Sequence, residues 1–372
     1  MKKLLLPGKT LATAKTTMLP LDVPFLPDPA YVQFLNTQKA ALHSVHFSLF
    51  LPAIPDGRHR PQAGSGFAAL AAALKKLKGP KKYALLNSRF HHPRLYGDRT
   101  LLAELAERLN MLHAEGCLDG IVFVDFYLLQ ALSDHAPELA RALEAVPGVN
   151  CMLDSLERIS ACCEAIGRSN FRLPAKLNLD RSLNRRPEAL RNLSQECRRH
   201  FPGVKLTLLA NEGCLAHCPF KLSHDAQIAF ANLGPAANGT FAANRDLGCI
   251  RVLSENPEQF FKSPFIRPED QGQYEGVADA IKLCGRTLGP AFLMRAVKAY
   301  ADGRYDGNLL DLLDTLEWLV PTLYVDNAAL PDDFYRQLTK CDRQCARCRF
   351  CKELLAGHGR SLPLSLPDFR KK

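Results

Sequence analysis

Short apolar segments alternate with amphipathic ones along most of this chain, and that alternation limits the folds open to it. Residues 45–50 read as a strand and the alanine-rich 67–77 as a helix. Strand 83–87 then precedes helix 100–113, and strand 120–125 leads into a helix around 128–132. The pattern repeats with 149–153 and 156–166, with 171–177 and 187–199, and with 204–209. It resumes at 280–283 with a helix over 291–301. Seven or eight strand–helix units in series imply a parallel sheet, and the count suits a closed barrel better than an open sheet. Near-continuous apolar strands fit a sheet covered on both faces. The expected fold is therefore α/β, a TIM-barrel-like (β/α)8 barrel.

Two segments break the rhythm. Residues 211–264, rich in Gly, Asn and Pro, read as a long loop after a strand, and loops of that length are usually functional. Beyond about 306, a helical 309–319 and a cysteine run form a C-terminal extension. The expected organisation is a barrel over 1–305 containing the cysteine loop 211–264, followed by an extension over 306–372.

Thirteen cysteines in 372 residues are too sparse for a disulfide scaffold, which carries roughly 8–10%. The apolar run at Met1 to Leu6 is too short for a signal peptide, and no stretch approaches the roughly 20 apolar residues of a membrane helix. The expected compartment is the reducing cytoplasm, where metal ligation is the default use of clustered thiols. Cys341, Cys345, Cys348 and Cys351 form a C-x3-C-x2-C-x2-C run. Cys214 and Cys218 flank a turn, Cys249 follows Gly248, and Cys284 precedes Gly285. Such spacings suit an iron–sulfur cluster or a closed zinc site, and the sequence does not separate the two. Cys117, Cys151, Cys162, Cys163 and Cys197 fall in strands, helices or their edges and read as small buried apolar groups. The C-x3-C-x2-C part also matches radical S-adenosylmethionine enzymes, but there the loop sits early in the barrel.

In a parallel barrel, functional groups collect at the C-terminal ends of strands. Asn87 and Arg89, Asp125, Asn178 and Arg181, Cys214 and Cys218, and Cys284 with Arg286 all follow expected strands. Arg89, Arg181, Lys282 and Arg286 are the expected cationic cradle, with Asp125 or Glu212 as counter-charge. A formal net charge of +10 favours anionic partners, a small molecule or RNA. No Gly-x-Ser-x-Gly elbow or His-Glu-x-x-His helix is present, so common hydrolase motifs are missing. His217 and His224, within the cysteine loop, are candidates for proton transfer.

The stretch from Gly276 to Arg286, reading GVADAIKLCGR and followed by Val297 and Tyr300, resembles the signature of the U32 peptidase family. Residues 208–218 with Cys249 are similar to that family's cysteine region, and 180–184 to its Arg-Glu-Leu-Ser segment. The resemblance spans roughly residues 21–304. It implies a TIM-barrel-like fold and a 4Fe–4S cluster held by four cysteines, with Cys214, Cys218 and Cys249 matching the first three ligands. The family's fourth cysteine normally precedes the Gly-Val-Asp segment, where this chain reads SPFIRP over 263–268. Cys284 or a member of the terminal run must take its place. The terminal run lies outside the signature, so a second centre, cluster or zinc, is expected there. The family includes oxygen-independent hydroxylation proteins for ubiquinone precursors and RNA, and others named as collagenases. The expectation is an iron–sulfur oxidoreductase with a redox partner protein and a paralogous subunit. Peptidase and non-enzymatic zinc scaffold are the alternatives.

Overall fold

The computed structural model describes residues 18–363 apart from 52, 53, 56, 59–65 and 235–238. The N-terminal run weighed as a signal peptide and the last residues of the extension lie outside them. Eight parallel strands form the sheet: β1 (Leu21–Pro24), β2 (Leu42–Ser48), β3 (Lys81–Leu86), β4 (Gly120–Phe123), β5 (Glu144–Pro147), β6 (Lys176–Asn178), β7 (Lys205–Leu209) and β8 (Ala280–Lys282). Their order is β5-β4-β3-β2-β1-β8-β7-β6. Between β5 and β6 the ladder gives way to isolated parallel bridges, Glu144 to Arg172 and Leu153 to Leu179. Asn178 Nδ2 also donates to the Pro147 carbonyl across that seam, at 2.9 Å. The result is a nearly closed, TIM-barrel-like fold, as expected from the alternation.

Period-two alternation explains which residues face the lumen. Leu21, Val23, Val45, Phe47, Ala84, Leu86, Ile121, Phe123, Leu177, Leu206, Leu208 and Ile281 belong to the large apolar core under the helices. Tyr83, Leu85, Val122 and Val146 form a separate small cluster. The residues in register with them are polar: Asp22, Ser44, His46, Lys176, Thr207 and Lys282, all buried. This barrel thus has a charged interior.

Helices α1 (Pro29–Thr37), α2 (Phe67–Lys76), α3 (Arg99–Ala114), α4 (Phe126–His135), α5 (Pro137–Ala142), α6 (Leu156–Arg168) and α7 (Pro187–His200) cover the outside. Side-chain caps fix several starts: Asp28 accepts from Tyr31 N, Asp98 from Thr100 N and Leu101 N, and Ser155 from Arg158 N. Several expected elements differ, and the strand expected over 171–177 is the shorter Lys176–Asn178. Residues 149–151 form a 3-10 turn, and the fifth strand is the preceding Glu144–Pro147. The segment read as a long loop contains α8 (Lys221–Leu233), α9 (Gly239–Asp246) and α10 (Cys249–Glu255) before β8 and α11 (Gly289–Asp302).

The extension carries a 3-10 turn at Leu309–Leu312 rather than a helix over 309–319. It continues through β9 (Leu323–Val325), α12 (Phe334–Thr339), α13 (Phe350–His358) and β10 (Gly359–Ser361), which pairs antiparallel with β9. A second core joins Leu253, Phe260, Phe261 and Phe265 of the 211–264 insertion to Leu309, Leu316, Val325, Phe334, Leu338 and Leu354 of the extension. Insertion and extension therefore pack as one body across the boundary expected near 306. Phe261, fully buried, lies tilted against Phe260 at 4.2 Å between ring centroids and meets Phe334 edge-on at 6.1 Å. Replacing it with Ala is expected to cost about 3–5 kcal/mol and, in limited proteolysis, to expose insertion and extension together. Release of the extension alone would contradict the shared core.

Candidate functional site at the barrel mouth

Asp22 is the pivot of the lumen. Lys176 Nζ and Lys282 Nζ each donate to Asp22 Oδ2 at 2.9 Å, and His46 Nδ1 lies 3.0 Å from Asp22 Oδ1. Lys176 also donates to Ser44 Oγ at 2.7 Å and sits 4.3 Å over the Tyr83 ring. Burial alone would raise the Asp22 carboxyl, but Lys176 and Lys282 outweigh it and hold the group well below its usual range. Burial drives Lys176 down to about 8 against the pull of Asp22. Burial and then Lys282 push His46 down to about 3, so its ring is neutral near pH 7. Its Nδ1 either donates to Asp22 or accepts from Lys282, which lies 2.9 Å away.

Above this network, at the C-terminal ends of the strands, lies a cavity of about 90 Å³ whose lining includes His46, Asn87, Arg181, Glu212, Cys214, Lys282, Cys284 and Arg286. An outer cavity of about 300 Å³ shares Asn150, Arg181, Cys214, Lys221 and Asp225 with it and adds Asp180, His217 and Cys218. The rim is charged on both sides. Arg181 pairs with Glu212 and donates to Asn150 Oδ1 at 3.0 Å. Arg58 contacts Asp314 Oδ2 at 2.5 Å and Glu212 at 3.7 Å.

Asn211, just past β7, ties the mouth together. Its Oδ1 accepts from Cys284 N at 2.7 Å, and its Nδ2 donates to the carbonyls of Cys284 and Leu312, both at 3.1 Å. Gly213 N donates to Asp314 O and Asp314 N to Asn211 O, each at 2.9 Å. A Cβ at Gly213 would fall 2.4 Å from Leu316 Cγ, so only glycine permits this approach. The extension thereby delivers Thr315 to the inner cavity. Thr315 has φ +78, a strained value for a β-branched residue, and its buried Oγ1 has no hydrogen-bond partner among the described residues.

The structure brings Lys282, Arg286, Arg181, Cys214 and Cys284 to one cavity, with Cys218 beside them. Cys249 stands at the start of α10, outside the lining of both mouth cavities, and burial raises its thiol. Burial likewise raises the thiols of Cys214 and Cys218, and raises Cys284 well above its usual value. Asp125 stands apart. Its Oδ1 caps α4 through Tyr127 N at 2.9 Å, and its Oδ2 takes Tyr96 OH at 2.6 Å and His91 Nδ1 at 3.0 Å. The counter-charge expected of Asp125 is supplied by Asp22 for Lys282 and by Glu212 for Arg181. Arg89 donates to the Asn150 carbonyl at 2.9 Å and supports the rim from behind. Sequence reading missed Asp22, His46, Arg58 and Thr315. Asp22 lies in a four-residue strand, and its partners are 154 and 260 residues away.

Cys341, Cys345, Cys348 and Cys351 line a separate cavity of about 390 Å³. Among the described residues, no three His, Cys, Asp or Glu side chains are already gathered as an ion site. No described helix is long and apolar enough to cross a membrane.

No profile of a known protein family matches the chain. Over 180 residues it is 37% identical to an uncharacterized protease of Methanocaldococcus jannaschii, covering 48% of this chain and 51% of the relative. The chain thus spans about half the length of that relative. A solved U32 peptidase covers 74% of this chain and 96% of its own, at 11% identity and a TM-score of 0.43. An α-amylase from Geobacillus thermoleovorans covers 87% and 77%, at 8% identity and a TM-score of 0.39. These structural likenesses are too weak to carry an argument, and the fold rests on the strand order above.

The lumen gives a pH dependence with a definite sign. The His46 value is depressed from 6.5 to about 3, so an unfolded chain binds the proton across that window and the folded one does not. Stability therefore falls as pH drops from about 6.5 toward 3, by at most about 1.4 kcal/mol per pH unit from this group. Denaturant titrations of wild type and His46→Gln should differ in slope over this window. Parallel slopes would contradict the assignment.

Proposed function

We infer that the barrel mouth is a thiol-lined redox site acting on an anionic substrate, in a chain that is similar to an archaeal protease over 180 residues. The carrying observation is that Cys214 and Cys284, from the insertion and from the end of β8, line one cavity with Arg58, Arg181, Lys282 and Arg286. The reaction is an oxygen-independent hydroxylation, in which substrate C–H and water give C–OH, two protons and two electrons. A redox partner protein of this chain accepts the electrons.

The donor set fits an iron–sulfur cluster in kind: Cys214 and Cys218 share the outer cavity, Cys284 shares the inner one with Cys214, and Cys249 belongs to the same insertion at the start of α10. When bound, such a cluster passes single electrons at a potential set by burial and by hydrogen bonds to sulfur. The protein's own part is to hold the substrate. The guanidinium groups of Arg181 and Arg286 offer planar forks for a carboxylate or phosphate. Lys282 brings a positive charge only partly offset by the Asp22 it shares with Lys176. Thr315 Oγ1, without a hydrogen-bond partner among the described residues, can donate or accept at the same cavity.

Peptide hydrolysis is the second reading. The relative is named a protease, and His224 lines the inner cavity with Cys214 and Cys284. Burial holds both thiols away from the thiolate that a cysteine nucleophile needs.

Anaerobic reconstitution of the full chain with ferrous iron and sulfide separates the readings. The expected product is brown, with iron and sulfide that fall by more than half in Cys214→Ser and in Cys284→Ser while circular dichroism is unchanged. Arg286→Lys should keep the iron and weaken inorganic phosphate binding roughly tenfold, because an ammonium cannot reproduce the fork. Colourless protein holding only zinc would overturn the redox reading. Peptide cleavage lost in Cys214→Ser or Cys284→Ser would favour the hydrolase.

A further inference from the structure

The terminal cysteines are not an appendage remote from the mouth. The run folds back on itself: Arg343 takes φ +63, Cys345 N donates to Arg343 O at 2.8 Å, and Cys348 N to Gln344 O at 3.1 Å. Asp342 Oδ1 accepts from Gln344 N at 2.9 Å, and Cys351 sits in the first turn of α13 against the second core. All four cysteines therefore reach one cavity, whose opposite wall is Glu258, Gln259 and Lys262 of the insertion. Its charged lining is Lys262, Lys340 and Lys352 against Glu258 and Asp342, a net positive wall. Four thiolates around a divalent ion carry two net negative charges, which such a wall accommodates. The thiols share a cavity wall rather than a ready-made cage, so the ion itself would complete the fold of the run.

Two residues connect this cavity to the mouth. Lys262 lines both the cysteine cavity and the outer mouth cavity, and Arg343, between Cys341 and Cys345, lines the outer mouth cavity.

We propose that Cys341, Cys345, Cys348 and Cys351 hold one zinc ion in a closed four-thiolate site, and that this ion fixes Arg343 at the outer mouth so that zinc loading tightens anion binding there. The zinc site stands on its own residues, and the coupling rests on the anionic mouth proposed above. Zinc contributes no redox chemistry here and acts by folding the turn that carries Arg343.

The test measures zinc content and inorganic phosphate affinity on the full chain in four forms: wild type, wild type stripped by a chelator, the Cys345→Ser and Cys348→Ser double variant, and Arg343→Ala. The expected result is one zinc per wild-type chain, absent from the stripped and double-variant forms and retained in Arg343→Ala. Phosphate binding should weaken roughly fivefold in all three altered forms, the upper range for a single exposed charge. Zinc retained by the double variant, or iron and sulfide at these four cysteines, overturns the site. Phosphate affinity unchanged on zinc removal overturns the coupling. Wild type that binds zinc but no phosphate overturns the anionic mouth, and the coupling with it, while leaving the zinc site supported.

Discussion

A single buried carboxylate organises this barrel. Asp22 takes Lys176 and Lys282 on one oxygen and faces His46 on the other, and all four groups are buried. Two ammonium groups on one carboxylate leave the lumen with an excess positive charge, since His46 is neutral at pH 7. Removing one partner of such a network typically costs about 3–5 kcal/mol, because the remaining charges stay buried and unpaired. The alternation of short strands places these residues inward, and the Asp22 contacts then hold β1, β2, β6 and β8 in one register. Lys282 lies both in this network and on the cavity wall, so the charge that stabilises the lumen also faces whatever enters the mouth.

The mouth itself is assembled from three lengths of chain. Strand ends supply Asn87, Arg181, Lys282 and Cys284; the insertion supplies Glu212, Cys214 and Cys218; the extension supplies Asp314 and Thr315. Asn211 joins all three through one side-chain amide. The close approach at Gly213 and the strained Thr315 backbone are local costs that the shared apolar core offsets. Packing of the extension and geometry of the cavity are thus linked.

Much of the barrel was legible in the sequence because its strands are apolar and its helices amphipathic. Residues 83–87, 120–125 and 204–209 predict β3, β4 and β7 to within a few residues. The fifth strand was not legible: Glu144-Ala-Val-Pro begins with an acid and ends with a proline, whereas the apolar 149–153 looked the better strand. Glu144 is tolerated because Lys81 and Tyr83 meet it, contacts that only the folded sheet creates. The 211–264 segment looked like loop because Gly and Pro separate its short helices. At the site, the residues after strand ends could be read from topology, and Lys282, Arg286 and Arg181 do share a cavity. Asp125 misled because an acid after a strand is equally a helix cap, and here it caps α4. Asp22 and Thr315 depend on long-range partners and a backbone angle that no local pattern encodes.

The central claim is that sulfur ligands from the insertion and from β8 converge at the barrel mouth on one redox centre. X-ray absorption at the iron edge tests it most directly, on anaerobically reconstituted full-length chain with Cys341, Cys345, Cys348 and Cys351 replaced by serine, so that the signal comes from the mouth alone. The account predicts an all-sulfur first shell with an iron–iron scattering path, both lost when Cys214 and Cys284 are also replaced. Iron in an oxygen and nitrogen shell, or no bound iron in a folded chain, would contradict it.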